Sequence, residues 1–329
     1  MHNPLHRHAA TVRAWRDLSP GVREFELRPE GGALAWTVGS HLNVQVRIDA
    51  GTEPRSYSLV GLPHDDGAHE VYRIAVKRAD PGRGGSRFMW SLNAGAELSI
   101  SEPRNHFPLS LGAPRHLVVA GGIGITPLLG MALTLLQRGA DVQMRYAARS
   151  ADELVYRDRL ATALGDRLRC VIDERGETLD LGAEVAALPP HALMWVCGPL
   201  PLLDAARAAW ASAGRAGADL RFETFGNTGA HAAQPFWVDL PRHGLRLEVP
   251  ADRTLLDALS DAGVEILSDC RRGECGLCVM DIVGVHGIID HRDVFLSRRQ
   301  QLEGRSLCTC VSRVIGGGVT LDSSFRADP

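Results

Sequence analysis

The chain has 329 residues, of which 45% are hydrophobic, and its formal net charge at pH 7 is −3. This length allows two or three domains with cores of their own, so no disulfide framework is required, and residues 1–8 lack the apolar stretch of a secretion signal. The near-neutral charge argues against nucleic-acid binding, which needs a clustered basic surface. We therefore expect a cytoplasmic monomer that binds neither nucleic acid nor a membrane.

The first part of the chain predicts an antiparallel β-barrel. Short segments of alternating hydrophobicity at 22–27, 42–48 and 72–76 are separated by Gly and Pro. This pattern is typical of barrels built from short strands.

Two stretches of this barrel carry groups suited to a phosphate-bearing cofactor. Arg55 can hold a phosphate through two parallel hydrogen bonds, and Tyr57 can lie against a ring system. A glycine-rich loop then offers backbone N–H groups and a hydroxyl at a predicted helix start. The residues assigned to this first cofactor site are Arg55, Tyr57, Ser58, Lys77, Gly82, Gly84, Gly85 and Ser86.

A buried strand and a glycine-rich turn open the second predicted domain. Residues 116–120 are apolar, and the turn that follows contains Gly121, Gly122 and Gly124. Thr126 and Pro127 suit the start of a helix, because proline loses no hydrogen bond in the first helical turn. The exposed N–H groups of such a turn predict a site for a pyrophosphate.

Alternating strands and helices continue through this domain. Strands are predicted at 142–147 and 168–172, and helices near 151–164 and 200–213. We therefore expect a doubly wound parallel α/β sheet, with its ligand beyond the carboxyl ends of the strands.

One segment of this domain has a competing interpretation. Residues 117–136 carry no charge and are long enough to cross a membrane. The glycines and the proline inside the segment favour a buried strand, a tight turn and a helix instead.

Further residues can contribute to nucleotide binding. The apolar segment 191–197 ends in Cys197, followed by Gly198 and Pro199. Asp173 follows a predicted strand and could accept hydrogen bonds from the adenosine ribose. Arg149, after another strand, could bind a 2′-phosphate, so the residues alone leave open whether the nucleotide carries that phosphate.

The last part of the chain carries a cysteine pattern. A hairpin is predicted over 237–249, and a helix over 254–262. Four residues separate Cys270 from Cys275 and two separate Cys275 from Cys278, which is the spacing of plant-type 2Fe-2S sites. A zinc site would usually need a second C-x2-C or a pair of histidines.

The fourth ligand is ambiguous, because Cys308 and Cys310 lie one residue apart. Charged residues near the cysteines could orient a protein that accepts electrons. They are Asp269, Arg271, Arg272, Glu274, Asp290, Arg292 and Asp293. Under this hypothesis, replacing Arg271 and Arg272 slows electron transfer to that protein more than transfer to ferricyanide.

These motifs resemble those of a known enzyme family. R-x-Y-S-L at 55–59, P-R-N-x-F at 103–107, and G-G-x-G-x-T-P at 121–127 with C-G-P at 197–199 resemble the ferredoxin–NADP reductase superfamily. D-H-R-D at 290–293, C-V-S-R at 310–313 and the order of the three domains resemble the phthalate dioxygenase and vanillate O-demethylase reductases. The resemblance covers nearly the whole chain.

The resemblance implies a multidomain fold. It comprises an antiparallel β-barrel flavin domain (1–110), a doubly wound α/β nicotinamide domain (111–225), a linker (226–235) and an α+β β-grasp ferredoxin domain (236–329).

It also implies FMN in preference to FAD, NADH as the substrate, and a 2Fe-2S cluster held by Cys270, Cys275, Cys278 and Cys310. Cys197, Thr126 and Phe225 are expected to position the flavin and the nicotinamide, and no residue is expected to act as a catalytic acid or base.

The implied function is that of the reductase component of a Rieske-type oxygenase. Hydride enters from NADH, and single electrons leave through the cluster to the oxygenase. One alternative is a reductase for another acceptor, such as a cytochrome. A second is a non-catalytic binding protein of the same fold that holds zinc.

Overall fold

The computed structural model describes residues 7–48, 51–65, 70–79, 82, 84–225 and 231–323. The chain divides into two compact units, Met1–Glu223 and Thr224–Pro329. The first two predicted domains therefore belong to one unit. In the described part of the chain, every helix is too short or too polar to span a bilayer.

The first sheet of unit 1 is a curled, seven-stranded antiparallel sheet. Its strands run in the order β4-β3-β6-β1-β2-β5, and β7 pairs with β3. The two outer strands approach each other at an antiparallel bridge between Leu59 and Ile74, which brings the edges of the sheet together. Leu42, Val44 and Val46 alternate into its core, as the pleat of a half-buried strand requires. The elements are β1 (Arg7–Ser19), β2 (Val22–Pro29), β3 (Ser40–Ile48), β4 (Gly51–Ser58), β5 (Tyr72–Lys77), α1 (Gly85–Trp90), β6 (Glu97–Ser101) and β7 (Arg104–Asn105).

The second sheet of unit 1 is parallel and runs in the order β10-β9-β8-β11-β12. Every residue of β8 and β11 is buried, and apart from His116 both strands are apolar, as expected for strands covered on both faces. The strand order reverses between β8 and β11, as in a doubly wound sheet. The elements are β8 (His116–Gly121), α2 (Ile125–Gln137), β9 (Val142–Ala148), α3 (Arg157–Leu164), β10 (Leu168–Ile172), α4 (Leu181–Ala186), β11 (Leu193–Cys197), α5 (Leu200–Ser212) and β12 (Leu220–Glu223).

Unit 2 contains a mixed five-stranded sheet in the order β14-β13-β17-β15-β16. β13 and β17 are parallel, and the other pairs are antiparallel. Leu255 and Leu259 of α6 pack into the core beside this sheet, consistent with the predicted β-grasp fold. The elements are β13 (Phe236–Leu240), β14 (Leu245–Val249), α6 (Leu255–Asp261), β15 (Val279–Asp290), α7 (Arg298–Glu303), β16 (Ser306–Cys308) and β17 (Arg313–Asp322).

The helix predicted over 151–164 is shorter than expected. A 3-10 turn covers Ala151–Glu153, and α3 begins only at Arg157. Tyr156, just before it, has a φ of 62°, in the left-handed region that a continuous right-handed helix cannot include. Alternation and spacing also failed to predict α4 and α7, which have six residues each.

The uncharged segment 117–136 is confirmed as a strand, a turn and a helix. The strand β8 ends at Gly121, and α2 begins at Ile125.

Candidate functional site

Arg55 and Tyr57 lie on one face of β4, because residues two apart in a strand point the same way. One guanidinium nitrogen of Arg55, Nη1, is 2.6 Å from the carboxylate of Glu53. A second nitrogen, Nη2, is buried and has no hydrogen-bond partner among the described residues. A buried donor without a partner is costly, so this nitrogen fits an anionic ligand such as a phosphate.

The glycine-rich loop lies against Arg55. A Cβ on Gly85 would be 3.0 Å from the Arg55 side chain, so the arginine lies close over α1 and a larger residue would displace it. Gly84 has a φ of 79° and precedes α1. The hydroxyl of Ser86 accepts a hydrogen bond from the backbone N–H of Ala79 at 3.1 Å, which closes the loop.

Of the remaining loop residues, Gly82 is exposed and adjoins Ala79, whereas Arg83 lies outside the described residues. Lys77 ends β5 and forms an ion pair with Glu153 at 3.0 Å. Glu153 also lies beside Gly122. The ion pair therefore places Lys77 near the turn after β8, at the junction of the two sheets of unit 1.

The predicted nucleotide residues meet at the point where the strand order reverses. β8 and β11 are neighbours, and Ala120 pairs with Cys197. A Cβ on Gly124 would be 2.1 Å from the carbonyl oxygen of Cys197, and one on Gly121 would be 2.7 Å from Pro199. The structure therefore brings the glycine-rich turn and the Cys-Gly-Pro segment into direct contact. Ligands of doubly wound sheets bind in this crevice.

The start of α2 is fixed by a local hydrogen bond. The hydroxyl of Thr126 donates to the carbonyl oxygen of Ile123 at 3.0 Å, and Thr126 and Pro127 are both buried. Thr126 therefore shapes the turn through the backbone.

Asp173 is exposed directly after β10, two strands away from β8, at the same edge of the sheet.

Two residues predicted to face the nicotinamide differ in exposure. The Cys197 side chain is fully buried in the core that the two sheets of unit 1 share. Phe225 is 38% exposed and belongs to unit 2, so its role near the flavin stays a prediction.

The five cysteines of unit 2 form a pair and a group of three. Cys270 lies within hydrogen-bonding distance of Cys275 and lowers the pKa of the Cys275 thiol to about 6. Hydrogen bonds from the thiols of Cys308 and Cys310 lower the pKa of Cys278 to about 3. Cys270 with Cys275, and Cys278 with one of Cys308 and Cys310, would supply the four thiolates that a 2Fe-2S cluster needs. Among the described residues, no group of three or more His, Cys, Asp or Glu is placed to bind a single metal ion.

The loop around Cys270 is shaped to present N–H groups to sulfur. The backbone nitrogens of Arg272, Glu274 and Cys275 each donate to the Cys270 sulfur at 3.4 Å. This requires left-handed backbone at Arg271 and Gly273, where φ is 52° and 76°. Such N–H···S bonds tune iron–sulfur clusters.

The comparisons with known proteins agree with this geometry. A model of the 2Fe-2S iron-sulfur cluster binding domain matches residues 239–314. The chain is 38% identical to the heme-dependent oxidative N-demethylase beta subunit of Ectopseudomonas mendocina, over 94% of this chain and 97% of that one. It is 37% identical to the phenoxybenzoate dioxygenase subunit beta of Ectopseudomonas oleovorans, over 91% and 92%.

Among solved structures, the chain matches phthalate dioxygenase reductase with a TM-score of 0.77 and 31% identity, over 97% of this chain and 98% of that one. The chain belongs to the phthalate dioxygenase reductase family. It is therefore an electron-transfer oxidoreductase, related to the reductase subunits of oxygenase systems. It carries the family's 2Fe-2S domain at residues 239–314.

Seven charged residues near the cysteines were candidates for orienting a protein that accepts electrons, and four of the seven are not at the surface. Arg272, Asp290, Arg292 and Asp293 are buried. Arg292 is 2.7 Å from Asp290, and Asp293 accepts hydrogen bonds from the Leu296 N–H and the Ser312 hydroxyl. These charges hold loops of the family's ferredoxin domain together, because a buried charge is tolerated only when it is paired.

Sequence reasoning missed a buried acid of unit 1. Glu223 ends β12, is almost completely buried, and accepts a hydrogen bond from the Ser58 hydroxyl at 3.2 Å. An acid that ends a strand at the carboxyl edge of a doubly wound sheet was the available signal. Tyr146 was also missed, and its hydroxyl donates to the Gly122 carbonyl at 3.2 Å.

Proposed function

We propose that this protein is the NADH-dependent reductase component of an oxygenase system, which passes electrons from NADH through FMN and a 2Fe-2S cluster to the oxygenase. The observation that carries the proposal is the meeting of the glycine-rich turn and the Cys-Gly-Pro segment at the reversal between β8 and β11. This crevice lies in the same compact unit as the buried, partnerless nitrogen of Arg55.

The flavin site is supported by the fit of its residues. When bound, a flavin accepts a hydride and releases electrons one at a time. Arg55 Nη2 would bind the cofactor phosphate, and Gly84 and Gly85 would let it approach the backbone. The face of Tyr57 would lie against the ring system. FMN ends at a single phosphate, and the glycine-rich loop 82–86 suits such a group, which favours FMN over FAD.

In the crevice between β8 and β11, the N–H groups after β8 would bind the pyrophosphate of the nicotinamide cofactor. Thr126 holds the turn through Ile123, and Asp173 would accept hydrogen bonds from the adenosine ribose. Asp173 favours NADH, because a carboxylate repels a 2′-phosphate.

Two thiolate pairs would hold the cluster, Cys270 with Cys275 and Cys278 with Cys310. Cys310 is preferred over Cys308 because the Gly273 N–H donates to its sulfur, and because it lies in electrostatic contact with both Cys270 and Cys278. Cys308 is fully buried and lies within hydrogen-bonding distance of Cys278.

The acceptor has two candidates. Relatives named for dioxygenases, such as the phenoxybenzoate enzyme, favour a Rieske-type oxygenase. The relative with 38% identity is named as a subunit of a heme-dependent N-demethylase, which favours a heme oxygenase as the second candidate.

The test is cofactor analysis and steady-state kinetics on the purified protein. Heat-released flavin should co-elute with FMN. With ferricyanide as the acceptor, kcat/KM should be at least about tenfold higher for NADH than for NADPH. The reason is that a 2′-phosphate beside the Asp173 carboxylate should cost more than about 1.4 kcal/mol, the free energy of a tenfold change. Release of FAD, or a preference for NADPH, would contradict the corresponding assignment.

A further inference from the structure

We infer that the electron-accepting oxygenase docks by apolar contact on an exposed surface formed by Cys275, Leu277 and Phe295, which we call the Cys275 surface. The inference rests on the proposed function and names the part of unit 2 through which electrons leave.

The Cys275 surface contains an exposed ligand of the proposed cluster. Cys275 is exposed, whereas Cys270, Cys278, Cys308 and Cys310 are buried. The shortest path from the cluster to a molecule outside the protein therefore passes by Cys275.

Large apolar side chains flank this cysteine. Leu277 is 51% exposed and Phe295 is 48% exposed. The Phe295 ring lies over Gly276, where an added Cβ would be 2.3 Å from ring carbons. Gly276 separates Cys275 from Leu277, so the ring, the cysteine and the leucine adjoin one another. Single exposed apolar residues are ordinary, but a group of them marks an interaction site.

The backbone of Phe295, rather than its ring, attaches this residue to the cysteine loop. Its backbone N–H and that of Val294 donate to the carbonyl oxygen of Gly273 at 3.0 and 2.9 Å. The segment is therefore attached to the cluster loop by its backbone, and the ring is left against solvent. An exposed aromatic ring on a rigid backbone is a typical central contact of a protein interface.

Four charged residues near the Cys275 surface form two ion pairs within unit 2. Arg272 is 3.2 Å from Glu274, and Arg271 pairs with Asp257. A partner complementary to this surface therefore has apolar residues around the entry to its own redox centre. Small electron-transfer interfaces of this kind are weak and transient.

The test measures two steps separately in stopped-flow experiments without oxygen. The first step is bleaching of the cluster absorbance when the full-length reductase is mixed with NADH. The second is electron transfer from the pre-reduced reductase to the purified oxygenase component encoded beside it. The variants are Leu277→Gln and Phe295→Gln, with Leu277→Met as the conservative exchange and Leu34→Gln as a matched control, because Leu34 is 47% exposed in unit 1.

We expect Leu277→Gln and Phe295→Gln each to lower the second-order rate constant of the second step about tenfold, as loss of a central apolar contact does. Leu277→Met and Leu34→Gln should stay within about twofold of the unchanged protein. The first step should be unaffected in all four variants. Raising the salt concentration from about 0.05 M to about 0.5 M should slow the second step less than about twofold, because no charge pair is formed.

Unchanged transfer to the oxygenase in both glutamine variants overturns the inference, and so does a steep loss of rate with salt. Slower bleaching by NADH also overturns it, because the surface would then face the chain's own flavin unit. If NADH fails to bleach the cluster of the unchanged protein, the proposed function fails instead, whatever the role of the surface.

Discussion

Arg55 is the residue whose chemistry points most directly to a cofactor. Its Nη2 is buried without a partner among the described residues, so a bound phosphate would supply the missing acceptor. We expect Arg55→Ala to raise the Kd for FMN by about 10- to 100-fold, the range for losing one charge-assisted hydrogen bond. Fluorescence titration of the flavin-free protein measures this. Arg13→Ala, an exposed arginine on β1, is the control and should change the Kd less than about twofold. Equal Kd values for both variants would contradict the assignment.

Cys308 and Cys310 differ in their proposed roles at the cluster, and serine variants distinguish them. Cys310→Ser should lose most of the visible absorbance of the cluster, because serine replaces a proposed ligand. Cys308→Ser should keep it, because Cys308 would only pack beside the cluster. Iron content and visible circular dichroism measure the difference. Loss of the cluster from Cys308→Ser alone would reverse the two roles.

At the scale of elements, the turn between β8 and α2 would shape the proposed nicotinamide site. A Cβ at position 124 would be 2.1 Å from the Cys197 carbonyl oxygen. Gly124→Ala must therefore separate the two strand ends, and we expect about 1–3 kcal/mol less stability in urea unfolding and a higher KM for NADH. Gly217→Ala is a matched control, since nothing lies within 4 Å of a Cβ there. If Gly124→Ala behaves like Gly217→Ala, the turn does not make the contact that the structure shows.

Elements with a strong apolar pattern were predictable from the sequence. β10 matches its predicted range of 168–172, and α5 nearly matches its predicted helix at 200–213. In these elements the alternation of buried and exposed positions is visible in the local sequence. α4 and α7 have only six residues each, which is too few for helical periodicity to be visible. The late start of α3 depends on the left-handed backbone of Tyr156, whose hydroxyl donates to the buried Glu24 on β2 at 2.7 Å, and such a long-range contact leaves no local signal.

Within the candidate site, too, the features with a local sequence signal were the predictable ones. The glycine turn, the Cys-Gly-Pro segment and the cysteine loop were predicted from motifs with fixed spacing. The Ser58–Glu223 hydrogen bond joins residues 165 positions apart, so it required the fold. The charges near the cluster were misjudged because composition does not reveal whether a charge is paired and buried. Asp290 and Arg292 satisfy each other inside unit 2.

On the scale of the whole molecule, the division after Glu223 separates the proposed flavin and nicotinamide sites from the 2Fe-2S domain. Unit 1 has its own cores, including one shared by its two sheets. We expect a fragment of residues 1–223 to fold, bind FMN and reduce ferricyanide with NADH, but to lack the cluster absorbance and transfer to the oxygenase. A fragment that folds but cannot oxidise NADH would place an essential group in unit 2.

The central claim is that one polypeptide accepts a hydride from NADH and delivers single electrons through its 2Fe-2S domain. The most direct measurement mixes the purified protein with NADH in the absence of oxygen and follows the visible spectrum and the electron paramagnetic resonance of the cluster. We predict that the flavin absorbance bleaches first and that the signal of a reduced 2Fe-2S cluster then appears. A protein that shows both cofactors but no cluster signal after NADH addition would contradict it.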